Sequence, residues 1–164
     1  MADSTDLDPT DRRILELLQT DGRMTNAALA EAVGLTATPL IQRVRKLEQW
    51  GVIRRYAAIV DASKVGRPVT AFVHVTLKAH GLTAHDRFIA MVETLEQVLE
   101  CHHIAGDEDF LLRVSVHDIA ELEQFLLREL SASGMVGRVK TTLVLSSSKI
   151  AAPIPIGPTG EASS

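Results

Sequence analysis

Hydrophobic periodicity changes character once along this chain, and that change limits its fold more than any other feature. Before residue 50, apolar residues recur at helical spacing in three short bursts. After residue 68, runs with a two-residue period alternate with helical ones. A chain of 164 residues with this switch divides into a small helical unit and an α/β unit.

The helical bursts carry their own punctuation. Asp8 and Pro9 form an N-cap and a first-turn proline, Asp11 favours the helix dipole, and Ile14, Leu15, Leu17 and Leu18 make the apolar face before Asp21 and Gly22 stop the helix. Thr25 caps a second helix with Leu29, Ala30 and Val33 inward, and Gly34 ends it. Thr36 caps a third, where Pro39 falls in the tolerant first turn and Leu40, Val44 and Leu47 recur at spacings of four and three. Residues 52–60 are β-branched and aromatic but interrupted by Arg54 and Arg55, which predicts a short strand or two pieces of a small ribbon.

Residues 61–68 read as a linker. Val69, Ala71, Val73, Val75 and Leu77 then alternate with polar residues as a strand. A helix follows over 84–97 with Phe88, Met91, Val92 and Leu95 on one face, then strands over 98–104 and 110–116. Asp118 and Glu121 open a second helix in capping-box fashion, with Ile119, Leu122, Phe125, Leu126 and Leu130 along one face, and residues 136–145 form the last strand. The order is a split βαβ layout, so the expected class is α+β: a plain or winged helix-turn-helix over 1–60, the linker, and a ferredoxin-like βαββαβ domain over 69–150. Residues 151–164, with three prolines, predict a flexible tail. Aromatics are only 4% of the chain, so the core should rest on Leu, Val, Ile and Ala.

The formal net charge of −4 by itself weighs against a nucleic-acid-binding chain. It is unevenly spread. Residues 1–33 hold three basic and seven acidic side chains, residues 34–67 seven and two, and the remainder seven and twelve. The basic segment coincides with the second half of two helices meeting at Gly34 and Leu35, which is the sequence form of a helix-turn-helix. The third helix should enter the major groove of double-stranded DNA. Thr38 and Gln42, with Thr36 at the helix start, would face base edges, and Arg43, Arg45 and Lys46 bases or phosphates. Arg54 and Arg55 point to opposite sides of a strand, so one of them, taken as Arg54, would meet a phosphate from a wing.

Other classes find less support. Residues 1–11 carry four aspartates and no apolar stretch, so no signal peptide is expected, and no run reaches the roughly 18 apolar residues of a membrane span. The single cysteine, Cys101, excludes an internal disulfide and fits a reducing, cytoplasmic setting. His102 and His103 fall on opposite strand faces, and Cys101 with His103 gives too few ligands for zinc. No Walker-type or dinucleotide-binding glycine motif occurs, so neither a metal nor a cofactor is expected. A small ferredoxin-like enzyme and a metabolite-binding assembly protein remain the alternatives. Gly106, Asp107, Glu108 and Asp109 sit between two strands; exposed amides there suit a carboxylate and an aspartate suits an ammonium group, yet an acidic turn with nothing bound reads as well.

The ordered set of motifs is specific. Leu7, Asp8, Asp11, Ile14 and Leu15; Leu29, Ala30, Val33, Gly34 and Leu35; Pro39, Arg43, Val44, Leu47 and Glu48; Gly51, Val52 and Ile53; Tyr56 and Ala58; Val98, Glu100, Cys101 and His102; Gly106, Asp107, Asp109, Phe110, Leu111 and Leu112; and Val144, Leu145 and Lys149 together resemble the Lrp/AsnC family of transcriptional regulators. The resemblance implies a prokaryotic, DNA-associated regulator that forms dimers and higher assemblies such as octamers. It also implies an amino-acid or related effector bound between dimers, near Ala105, Gly106, Asp107, Glu108, Asp109 and Thr141. Two positions depart from the family pattern. Val139 stands where a threonine is frequent, and Glu108 where an aromatic residue is frequent; the latter would favour a ligand with a cationic group.

Overall fold

A computed structural model describes residues 6–79 and 81–157. The chain divides into two units, Met1–Ile59 with Lys149–Ser164, and Val60–Ser148.

The first unit is built on α1 (Pro9–Thr20), α2 (Asn26–Val33) and α3 (Ala37–Gln49). Their caps follow from the sequence. The Asp8 carboxylate accepts the Asp11 amide at 2.8 Å and the Thr25 hydroxyl accepts the Ala28 amide at 3.2 Å, each satisfying an orphan N–H of a first turn. Gly34 turns left-handed at φ +70°, and the Leu35 amide then donates to the Ala30 carbonyl at 2.9 Å, closing α2. Ile14, Leu15, Leu29, Ala30, Leu40 and Leu47 form the buried core, with Leu7, Val33 and Val44 packed around it.

Two expectations for this unit fail. Residues 52–60 form no strand and no ribbon, so there is no wing. The Val52 and Ile53 amides both donate to the Leu47 carbonyl, at 3.0 and 3.2 Å, extending the cap of α3, and their side chains pack on the helical core. Residues 54–60 then run without a ladder partner among the described residues. The second failure is the tail. Residues 151–157 lie along α1 instead of hanging free. The Gln19 amide donates to the Ile154 carbonyl at 3.0 Å and its oxygen accepts the Ile154 amide at 2.7 Å, while Ile156 packs on the core. Residues 158–164 of the expected tail lie outside the described residues.

The second unit holds β1 (Val69–Leu77), α4 (Leu82–Val92), β2 (Val98–His103), β3 (Phe110–Val116), α5 (Ile119–Gln124) and β4 (Val136–Leu143). The strands form one antiparallel sheet in the order β2-β3-β1-β4, the ferredoxin-like arrangement. Ala71, Val73, Val75 and Leu77 of β1 and Phe110, Leu112, Val114 and Val116 of β3 point to one face, where Phe88, Val92, Leu122 and Phe125 cover them. Three of the four phenylalanines are thus fully buried, so the scarce aromatics are concentrated in the core instead of being marginal to it. α5 continues through a wider, i to i+5 turn over Phe125–Leu130. Ile119 is exposed, while Leu122, Phe125 and Leu130 are buried.

The expected linker also belongs to this unit. The Asp61 side chain accepts the Ser63 amide at 3.0 Å and caps a 3₁₀ turn over Ala62–Val65. Arg67 then ties the segment to β3, donating from Nη1 to the Ser115 carbonyl at 3.1 Å while its own carbonyl accepts the Ser115 hydroxyl at 3.3 Å.

Candidate nucleic-acid interface and effector loop

Helical spacing decides what α3 presents. Leu40 and Leu47 are fully buried. Thr38, Gln42 and Arg45 follow at intervals of four and three on the opposite side, and all are exposed. Gln49, four residues beyond Arg45, extends the stripe; its polar character alone did not distinguish it from a helix-end residue. Thr36 occupies the N-cap position, but its hydroxyl makes no capping bond among the described residues. Lys46 is exposed and its ammonium lies 4.1 Å from the ring centroid of Trp50.

Arg43 is reassigned by the structure. Its guanidinium points back to α1, where Nη1 donates to Asp8 and, at 2.7 Å, to Asp11. Asp11 is 2% exposed, so the pair neutralises a carboxylate that could not otherwise be buried. Arg43 therefore clamps α3 to the start of α1. The Asp11 backbone amide, with Arg43 beside it, holds the Asp8 carboxyl below its usual range against the opposing effect of burial. Arg54 is exposed on the irregular segment, without the wing that would have aimed it. Tyr56 secures that segment by donating to Glu48 Oε1 at 3.1 Å; burial first, then Glu48, pushes its phenol up.

The loop between β2 and β3 closes through the Ile104 amide, which donates to the Asp109 carbonyl at 3.0 Å. Asp109 was expected to face a ligand. Instead its carboxylate accepts the Leu77 amide at 2.7 Å while its amide donates to the Val75 carbonyl, so it pins the loop to β1. Ala105, Gly106 and Asp107 are exposed. The Glu108 carboxylate, with a side chain 16% exposed, lies 3.5 Å from Arg138 of β4. Sequence reading missed Arg138 because the residues meet only through the sheet. Thr141 is exposed on β4 opposite Val73, and Val139 lies opposite Val75, half-buried against the core.

The histidines separate as strand alternation requires. His102 faces Glu100 at 3.3 Å, and Glu100 also pairs with Arg113 at 2.7 Å. Burial raises the Glu100 carboxyl, but these two donors outweigh it and hold it low. His103 lies on the other side, its ring 4.6 Å from that of His85 and 5.3 Å from Phe110. Burial, then Glu93, pushes the Cys101 thiol up, the opposite of an activated nucleophile. Among the described residues no group of three or more His, Cys, Asp or Glu is placed to hold a metal, and no helix is long and apolar enough to cross a membrane.

A helix-turn-helix with a polar, basic stripe on its third helix, joined to an α/β domain, defines a DNA-binding transcriptional regulator with a ligand-binding domain. Residues 7–48 match the model of the AsnC-type helix-turn-helix domain and residues 70–154 that of the Lrp/AsnC ligand binding domain; the chain belongs to the Lrp/AsnC family. It is 40% identical over 151 residues to a leucine-responsive regulatory protein of Rhizobium meliloti, covering 92% of this chain and 97% of that one. It is similar to the crystal structure of a transcriptional regulator from Neisseria meningitidis in complex with L-Met, with TM-score 0.85, 33% identity and coverage of 91% and 96%. An AsnC family regulator from Agrobacterium tumefaciens gives TM-score 0.83 at 37% identity, covering 90% and 96%.

Proposed function

We propose that α3 reads DNA with Thr38, Gln42 and Arg45, supported by Thr36, Lys46 and the newly placed Gln49, and that an amino acid bound at the 105–109 loop controls this reading. The observation that carries the proposal is the exposed stripe opposite Leu40 and Leu47: the residues free to meet a groove are polar or basic, and the apolar ones are consumed by the core. Arg54, exposed on the irregular segment, keeps a place only as a phosphate contact.

For the effector, the Neisseria relative's complex with L-Met supports an amino acid. Exposed backbone at Ala105 and Gly106 suits its carboxylate, and Asp107 suits its ammonium group; Thr141 supplies a further hydroxyl. Asp109 acts by holding the loop. The Glu108–Arg138 pair offers both charges in place of the aromatic surface usual in the family, which favours a polar side chain on the ligand over a purely apolar one.

Assembly follows from the sheet. Phe72, His74, Leu111 and Arg113 occupy the face away from the helices, and neither His74 Nδ1 nor Arg113 Nε has a partner among the described residues. A second copy of the chain laid on this half-buried face would take Phe72 and Leu111 out of water. The bacterial relatives support a prokaryotic, cytoplasmic setting. An effector then shifts DNA binding through its different affinities for the assembly states.

Fluorescence anisotropy with the chain's own upstream DNA tests the reading. Gln42→Ala and Arg45→Ala should weaken binding, and Arg45→Ala should lower the slope of log K against log salt by about one for each phosphate it no longer neutralises. Unchanged affinity and slope in both variants refute the role of α3. A thermal-shift screen of the twenty amino acids should give a ligand whose stabilisation grows with concentration and is lost in Asp107→Ala.

A further inference from the structure

We propose that Trp50 is a positioning residue for DNA binding: its indole holds the Lys46 ammonium at the edge of the reading stripe, ready for a backbone phosphate. This rests on α3 being the reading helix.

Trp50 is the chain's only tryptophan, and it is 45% exposed at the C-terminal end of α3. Such a side chain normally brings the largest burial gain of any residue, so its exposure calls for another role. Its backbone is well held. The Trp50 amide donates to the Lys46 carbonyl at 2.9 Å, and the chain leaves the helix only at Gly51, with φ +69°. The ring therefore rides on the same turn as Lys46, whose Nζ stands 4.1 Å from its centroid. That is within the distance at which a ring face attracts a cation.

The three basic residues of α3 meet three different fates. Arg43 is neutralised by two carboxylates. Among the described residues Arg45 is exposed with no ion-pair partner, and Lys46 has an aromatic partner only. A carboxylate would cancel the lysine charge, whereas an indole orders the side chain and leaves the charge in place for an anion. Lysine has much rotamer freedom to lose on binding, so ordering it beforehand lowers the cost of each phosphate contact. Gln42, Lys46 and Trp50 follow at intervals of four, which sets Lys46 beside the Thr38–Gln42–Arg45 stripe. A groove-bound helix meets the sugar-phosphate wall on such a flank.

The test is a double-mutant cycle in the full chain, read by anisotropy with the upstream duplex across a salt series. Trp50→Leu keeps apolar bulk without the indole face and should weaken binding about two- to fivefold per engaged copy, while Trp50→Phe should stay near wild type. Lys46→Met should weaken binding and lower the salt slope by about one per engaged copy. The decisive prediction is that Lys46→Met with Trp50→Leu is no weaker than Lys46→Met alone. Equal losses from Trp50→Leu with and without Lys46, or no loss at all, overturn the proposal. Trp50→Gln supplies the same cycle if the leucine variant fails to fold. Arg45→Ala separates the two levels: if it too leaves affinity and slope unchanged, the reading of α3 has failed, and if it weakens binding while Trp50→Leu does not, only the positioning role has.

Discussion

Arg43→Met removes the guanidinium while keeping a straight, helix-compatible side chain, and its cost can be worked from the burial of its partners. Asp8 has a side chain 43% exposed and turns to water when the cation is gone. Asp11 cannot, because its side chain is 3% exposed. Breaking a fully buried ion pair on one side costs about 3–5 kcal/mol, mostly the penalty of the charge left behind. Arg43 is itself 33% exposed, so water enters the gap and the expected loss is about 2–3 kcal/mol. In a unit of this size each kcal/mol moves the melting point by roughly 4–8 °C, so the helix-turn-helix should melt roughly 10–20 °C lower by circular dichroism. Adding Asp11→Asn should recover part of the loss, since no charge then remains buried unpaired. Held well below its melting point, Arg43→Met should keep the wild-type salt slope for DNA. A melting point within about 2 °C of wild type, together with a lowered salt slope, would refute the clamp and return Arg43 to the DNA contacts.

Acid should loosen the same junction. Asp8 has a folded pKa below its ordinary value, so its contribution is present above about pH 4 and is lost as pH falls through the lower folded value; the difference in melting point between wild type and Asp8→Asn should therefore vanish in that range. Gly34→Ala meets no atom within 4 Å but must sustain φ +70°, so it should cost about 1–2 kcal/mol of thermal stability without steric damage. Ending the chain after Ala152 removes the Ile154 and Ile156 contacts and should destabilise the helical unit by about 1–2 kcal/mol, with Gln19→Ala giving a smaller loss of the same sign; an unchanged melting curve for the truncation would leave the tail without a structural role. Phe110→Ala, at a site 1% exposed and in ring contact with Phe88, should cost about 3–5 kcal/mol in chemical denaturation of the sheet domain.

What the sequence determined by itself was local. The caps at Asp8 and Thr25, the stop at Gly34, the inward Leu40 and Leu47 and the alternation through β1 all depend on neighbours within one turn or one pleat, so their spacing states the outcome. The exposed stripe Thr38, Gln42 and Arg45 was legible for the same reason, because it is the complement of the buried one.

Tertiary structure decided wherever two plausible local roles competed. Arg43 reads as a groove-facing cation until the start of α1 brings two carboxylates to it, and Asp109 reads as a ligand contact until the Leu77 amide claims its oxygen. Residues 52–60 have strand composition, but a strand exists only with a partner, and here the first amides are taken by the end of α3. The proline-rich stretch at 153–157 carries every compositional mark of a loose tail, yet one glutamine side chain and one isoleucine bind it to α1. A hydrogen-bonding or charged group takes whichever partner the fold brings nearest, and sequence spacing records partners only a few residues away.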